Sequence, residues 1–287
     1  MADAVVDDFT NDSAMMIAWE RALESKRPSA LFRDPLAAAL AGSKGEDLSA
    51  KFEASCTMFE FPDWPEFHKT WVAVRTRFID DRIAECAAAG RFSQLVNLGA
   101  GMDTRPYRLK CYGAFANGAF DVDMAVVNAG RAKIFADMLG APESHCPVVT
   151  VDLDLLDTEK VLATELVREN SRFDATAPTV FVCEGLIMYL GAVGKVKLIA
   201  DISAVAAPGS VLVLQFMDAS QSAAARAHPA ALENALSVEE ATRELSRHGW
   251  RDLQFSMFGD EKLSYDRFPT DRFKPSPSFS FCVCTKQ

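Results

Sequence analysis

Paired metal-ligand spacings are missing from this chain. Its four histidines (His68, His145, His228, His248) stand apart, and none falls in an HExxH pattern. The seven cysteines are scattered, include no CxxC and make an odd number. Neither a disulfide framework nor a zinc cage is indicated. Basic residues are outnumbered, 30 Lys and Arg against 40 Asp and Glu, for a formal net charge of -10. A surface that acidic repels phosphate backbones and anionic lipid, which argues against a nucleic-acid partner and against membrane-surface binding. Long apolar runs are scarce too. The longest charge-free stretch, residues 202–217, is broken by Pro208-Gly209 and is too short to span a bilayer as a helix. The first residues carry Asp3, Asp7 and Asp8, where a signal or transit peptide is basic. The expectation is a soluble cytoplasmic protein without a metal.

What is present is 287 residues, 49% of them hydrophobic, enough for one large domain or two small ones, either with a full core. Up to about Gly90 the apolar spacing is helical. Asp12 and Ser13 can cap a helix carrying Ala14, Met15, Ala18, Ala22 and Leu23, which Pro28 ends. Asp34-Pro35 begins a short helix through Leu40, and Trp71, Val74, Phe78, Ile83 and Ala87 mark a long amphipathic one. After Gly90, apolar strands at 94–98, 119–123, 147–152, 179–184 and 210–216 alternate with helices to about 139, at 159–169 and at 196–206. Such continuously apolar strands joined by helices form a parallel sheet covered on both faces. A helix near 238–248 and two closing strands at 252–257 and 278–284 follow, and the loop between the strands allows antiparallel pairing. The expected architecture is an α/β domain over residues 91–287, with residues 1–90 as a helical extension and lid in the same structural unit.

The strongest local signal is Gly99-Ala-Gly101, directly after the first strand. Glycines there let a ligand approach the backbone without a side-chain clash. Asp123 lies 22 residues beyond Gly101, at the end of the second strand, where a carboxylate can accept from ribose hydroxyls. The pair suggests an adenine-nucleoside cofactor, either a dinucleotide or S-adenosylmethionine. The third glycine of GxGxxG is replaced by Thr104, which weakens the dinucleotide reading. A plain strand-to-helix turn would look the same locally.

Asn97-Leu-Gly-Ala-Gly-Met-Asp-Thr104 resembles the cofactor loop of the leucine carboxyl methyltransferase family, a branch of the class I S-adenosylmethionine-dependent methyltransferases. Ala22-Leu-Glu-Ser25 with Leu31-Phe-Arg-Asp-Pro-Leu36 resembles the N-terminal signature of its bacterial-type small-molecule members. The segment from Arg75 to Asp81 is placed as in the family. Asp121-Val-Asp123, Asp152-Leu153 and Glu184-Gly-Leu-Ile-Met-Tyr-Leu190 resemble its "EVD", "DL" and "EGLLMYL" motifs. The similarity runs from about residue 12 to 217. Three departures stand in the second motif, where the family's first acid, a Glu, is Asp121, its Pro is Ala125 and its following Lys is Arg131.

The resemblance implies a Rossmann-like, mostly parallel seven-stranded sheet with an antiparallel last strand, S-adenosyl-L-methionine as cofactor, and a role for each matched residue. Arg75 would bind the methionine carboxylate, its local alternative being an ion pair with Asp80 or Glu85. Gly99 and Gly101 would pass under the methionine and ribose, and Asp123 would hold the ribose hydroxyls. Asp152 would accept from the adenine amino group, or cap a helix, with Leu153 packing nearby. Glu184 would meet the cofactor's amino group or Arg75, and Tyr189 would line the acceptor pocket. The implied reaction is methyl transfer to a carboxylate or hydroxyl oxygen of a small molecule. A carboxylate acceptor needs no general base, and no residue stands out as one, though His68, His228 and His248 are open to the role. Residues 1–70 with the segment 218–236 are expected to cover the cleft, Met15, Met16, Phe59, Phe61 and Trp64 supplying apolar wall. Protein C-terminal carboxyl methylation and non-catalytic cofactor binding on the same fold are the alternatives.

Overall fold

The computed structural model describes residues 2–55, 64–138, 140, 142–168, 171–218, 235–268 and 276–287. Five strands run in parallel: β1 (Gln94–Leu98), β2 (Gly118–Asp123), β3 (Val148–Asp152), β4 (Thr179–Cys183) and β5 (Val211–Phe216). β6 (Trp250–Phe258) and β7 (Ser276–Lys286) complete a seven-stranded sheet in the order β3-β2-β1-β4-β5-β7-β6. β7 is antiparallel to both β5 and β6. The strand order turns back at β1, between β2 and β4, and in such sheets ligands bind beyond the carboxyl ends at that point.

The central strands are apolar on both faces because both are covered. Leu95, Val180, Val182 and Val213 face one body with Trp71, Val74, Phe78 and Ile79 of α3 (Trp64–Ala88). Val96, Leu98, Phe181, Leu212 and Leu214 face the other, with Leu198, Ile199 and Ile202 of α7 (Gly191–Val205). This period-two alternation stabilises by about 1.5–3 kcal/mol per fully buried large side chain. α8 (Val238–Arg247) adds Ala241 and Leu245 to the α7 side. It opens on a capping box in which Ser237 Oγ and Glu240 trade backbone amides at 3.1 Å.

Ahead of the sheet, α1 (Ala2–Ser25) and α2 (Ala37–Ser55) pack on one another, and Ala18, Leu40 and Ala41 cluster with Met102 of the glycine loop. Two expectations change here. α1 begins far upstream of Asp12 and Ser13, so neither caps it; Asp12 instead pairs with Lys44 of α2. α2 does not stop at Leu40. A kink at Gly42 (φ 55°) lets it turn and continue. The first crossover carries only α4 (Arg105–Arg108) and a 3-10 turn, Lys110–Ala114. The second uses α5 (Ala125–Asp137). After β3 comes α6 (Leu162–Leu166), shorter than expected. No described helix is long and apolar enough to cross a membrane.

Candidate active site

The glycine loop folds back against β2. The amides of Gly99 and Ala100 both donate to the Val122 carbonyl, at 2.9 and 3.2 Å. The Gly101 amide donates to Asp123 Oδ2 at 2.6 Å, while Asp123 Oδ1 takes the Met124 amide at 2.8 Å. Gly99 and Gly101 have φ of 67° and 47°, a region unfavourable for other residues. Space is equally tight: a Cβ on Gly99 would meet Leu186 at 3.1 Å, and one on Gly101 would meet Ala14 of α1 at 3.2 Å. Burial raises the Asp123 pKa, and the two amides oppose that rise. Each oxygen of its carboxylate retains a second lone pair.

β3 ends beside it. The Leu153 amide donates to the Asp123 carbonyl at 2.9 Å, and its side chain is buried. Asp152 is exposed and accepts from Asn128 Nδ2 at 2.8 Å. No helix starts at Asp152, because the chain runs through turns to Leu162, so the capping alternative is set aside.

On the β4 side the site is ionic. Glu184 Oε1 accepts from Arg75 Nε at 2.7 Å, and Oε2 lies 2.8 Å from Arg105 Nη2. Burial pushes the Glu184 pKa up, but Arg105 and Arg75 outweigh it and hold the group below the usual range, so it is ionised. The alternative partners of Arg75 are taken: Asp80 by Arg105 and Arg108, Glu85 by Arg82. Tyr189, on the 3-10 turn Ile187–Tyr189, reaches Ser13 Oγ of α1 at 3.2 Å. Phe59, Phe61, the segment 219–234 with His228, and the side chain of Trp64 lie outside the described residues.

Sequence reasoning missed the network behind this wall. Buried Arg105 pairs with Asp80 and Asp103 at 2.7 Å each as well as with Glu184. Arg108 also holds Asp80, at 2.7 and 2.8 Å. Asp34 accepts from Arg21 Nε at 2.9 Å and Thr104 Oγ1 at 2.7 Å, and Arg21 Nη2 donates to the Met102 carbonyl at 2.5 Å. Four arginines (21, 75, 105, 108) and four carboxylates (34, 80, 103, 184) thus join α1, the α2 approach, α3, the glycine loop and β4. The available signal was the density of charge in Asp103-Thr-Arg-Pro-Tyr-Arg108, directly after the glycines.

The family model described as "Leucine carboxyl methyltransferase" matches residues 14–203. A protein of Mycolicibacterium paratuberculosis is 33% identical over 207 residues, covering 71% of this chain and 64% of its own length. One of Mycobacterium tuberculosis is 31% identical over 260 residues, covering 89% of this chain and 68% of its own. Both carry the name "Putative S-adenosyl-L-methionine-dependent methyltransferase". The chain therefore spans a little under two thirds of the first relative and a little over two thirds of the second. Among solved structures, a DUF574 family protein from Streptomyces avermitilis superposes with TM-score 0.62 at 15% identity, over 96% of this chain and 97% of that one. A "putative methyltransferase" from Thermobifida fusca gives 0.57 at 17%, over 93% and 94%. These two share the fold.

Proposed function

The chain belongs to the leucine carboxyl methyltransferase family, and on that premise we propose that it is an S-adenosylmethionine-dependent methyltransferase acting on an oxygen of a small organic molecule. One observation carries the reading: the acid ending β2 is fastened to the amide of Gly101, so carboxylate and bare glycine backbone face the same place beyond the turning point of the sheet.

The residues fit the cofactor. Asp123 has acceptor capacity left for the ribose hydroxyls, at a loop where a Cβ would be crowded. Arg75 gives only Nε to Glu184 among the described residues, leaving its terminal nitrogens to grip a carboxylate. Glu184, held ionised between two arginines, suits an ammonium group. Asp152 is exposed toward an exocyclic amine, beside the apolar Leu153. When bound, the cofactor supplies an electrophilic methyl on sulfur, so the chain's task is to hold an acceptor oxygen in line and keep water out.

For the acceptor, the supporting feature is Gln215, fully buried near the end of β5. Its Oε1 accepts from the Gly185 amide at 2.7 Å, which leaves Nε2 as a buried donor without a partner among the described residues. Such a donor is costly unless something satisfies it, and a ligand carboxylate would. A carboxylate is already ionised at neutral pH and needs no base. Within residues 1–90, the part that acts as the lid in this reading is the N-terminal one, with Ala14 over Gly101 and Ser13 against Tyr189, while α3 covers a face of the sheet. A small acceptor and a cytoplasmic setting belong to the same proposal, as does the lack of a nucleic-acid partner, which the charge of -10 supports.

Calorimetry with S-adenosylmethionine, S-adenosylhomocysteine and NAD tests it. The first two should bind and NAD should not, and Asp123→Ala should weaken binding by about 1.5–3 kcal/mol. Unchanged affinity in a folded Asp123→Ala variant would sink the assignment. Methyl transfer to a C-terminal peptide but to no small acid or phenol would favour the protein-directed alternative.

A further inference from the structure

α5 carries two polar side chains one turn apart, Asn128 and Arg131, each only 4% exposed. Neither packs as an ordinary helix residue. Arg131 Nη1 donates to the Gly101 carbonyl at 2.8 Å, and Nη2 reaches Asp121 Oδ2 at 3.1 Å and Asn128 Oδ1 at 3.3 Å. The Asn128 amide group then donates to Asp152 Oδ1 at 2.8 Å, and to the carbonyls of Asp123 and Val151 at 3.1 and 3.2 Å. Both Asn128 hydrogens are therefore spent at the carboxyl ends of β2 and β3, and its oxygen is spent on Arg131.

We propose that Asn128 is a positioning residue for adenine recognition: it fixes the Asp152 carboxylate so that the oxygen it does not bind faces the 6-amino group of the purine. The proposal rests on the S-adenosylmethionine reading above. The physical case is that Asp152 is exposed at a strand end, and no other described hydrogen bond or ion pair to its carboxylate restrains it. A carboxylate free to rotate would lose part of its acceptor interaction to water and rotamer entropy. One buried donor, itself braced by Arg131 against the glycine loop, removes that freedom. It also ties the purine end of the cleft to Gly101 in a single chain of hydrogen bonds.

The experiment compares S-adenosylhomocysteine with S-inosylhomocysteine, in which a 6-oxo group replaces the amine, by calorimetry on the full chain. Wild type should prefer the adenosyl ligand by about tenfold or more. Asn128→Ala should cut that preference to less than about threefold by weakening the adenosyl ligand alone. Asn128→Asp keeps the size and the acceptor for Arg131 but sets a carboxylate against Asp152. It should collapse the preference as well, and it serves if the alanine variant does not melt cooperatively. Equal weakening of both ligands would show a merely structural role and overturn the proposal, as would a retained preference or a wild type that does not discriminate. A wild type that binds neither ligand would instead overturn the S-adenosylmethionine reading itself.

Discussion

In the interior beneath α7, Phe181, Leu212 and Ile202 share one apolar body. At the junction of α1 with the glycine loop, Arg21, Asp34, Thr104 and Arg108 are also buried, but meet through hydrogen bonds and ion pairs. The sheet draws its stability from contact that has no preferred direction. The junction has its distances and angles fixed, and its charges are tolerable underground only while every partner stays. The first arrangement supplies a platform; the second sets where the glycine loop lies on it.

The sharpest way to break this contrast is a pair of substitutions. Asp34→Ala takes the buried acceptor from Arg21 Nε and Thr104 Oγ1, while Arg108 keeps Asp80, and should cost about 3–5 kcal/mol in urea denaturation. Leu198→Ala opens a cavity under the sheet and should cost about 2–5 kcal/mol. Where both remain folded, only Asp34→Ala should also lower S-adenosylhomocysteine affinity. Equal effects on binding would erase the division of labour.

A second test uses pH. Burial raises the Asp121 carboxyl on β2 to about 6, although Arg131 opposes it. A raised acid contributes stability that is complete below the unfolded value near 3.9 and is lost as pH rises through about 6. The wild type should therefore lose about 1–2 kcal/mol relative to Asp121→Asn between about pH 5 and about pH 7.5. Asp103, in the loop, has the opposite sign. Burial pushes it up, but Arg105 more than compensates and holds it at about 2. Its contribution is present above about 3.9 and fades as pH falls toward 2. Parallel pH slopes for the wild type and Asp121→Asn would refute the assignment.

The smallest expected effect is at Arg75. Arg75→Lys keeps the charge but not the fork, and should weaken S-adenosylhomocysteine by about 1 kcal/mol, roughly fivefold. 5′-Methylthioadenosine, which lacks the amino-acid part, should bind both proteins alike. An equal loss for both ligands would remove Arg75 from carboxylate binding.

The same contrast explains what could be read from the sequence. Strands such as Gln94–Leu98 and Thr179–Cys183 announce themselves because both faces are apolar and the signal is contained within five residues. The glycine pair and Asp123 were legible because a strand end, a bare backbone and an acid recur at a spacing set by one crossover. Asp34, Asp80, Arg105 and Arg108 were not, since the partners of an ion pair share no period: Arg105 reaches Asp80 across 25 positions and Thr104 reaches Asp34 across 70. α1 was misjudged at its start for a related reason. Asp12 and Ser13 look like caps, but their side chains are occupied by Lys44 and Tyr189.

The placement of β7 has a kinetic consequence. It lies between β5 and β6 although it follows both in the chain, so β6 has no neighbour in the sheet until β7 arrives. During synthesis from the N-terminus, Trp250–Phe258 emerges as a strand with both edges open and must wait for its partner. The parallel strands and the glycine loop can assemble before that, leaving closure of the sheet at β5 as the slow, long-range step. That interval, rather than the finished fold, is when this protein is most exposed to mispairing with another copy of itself.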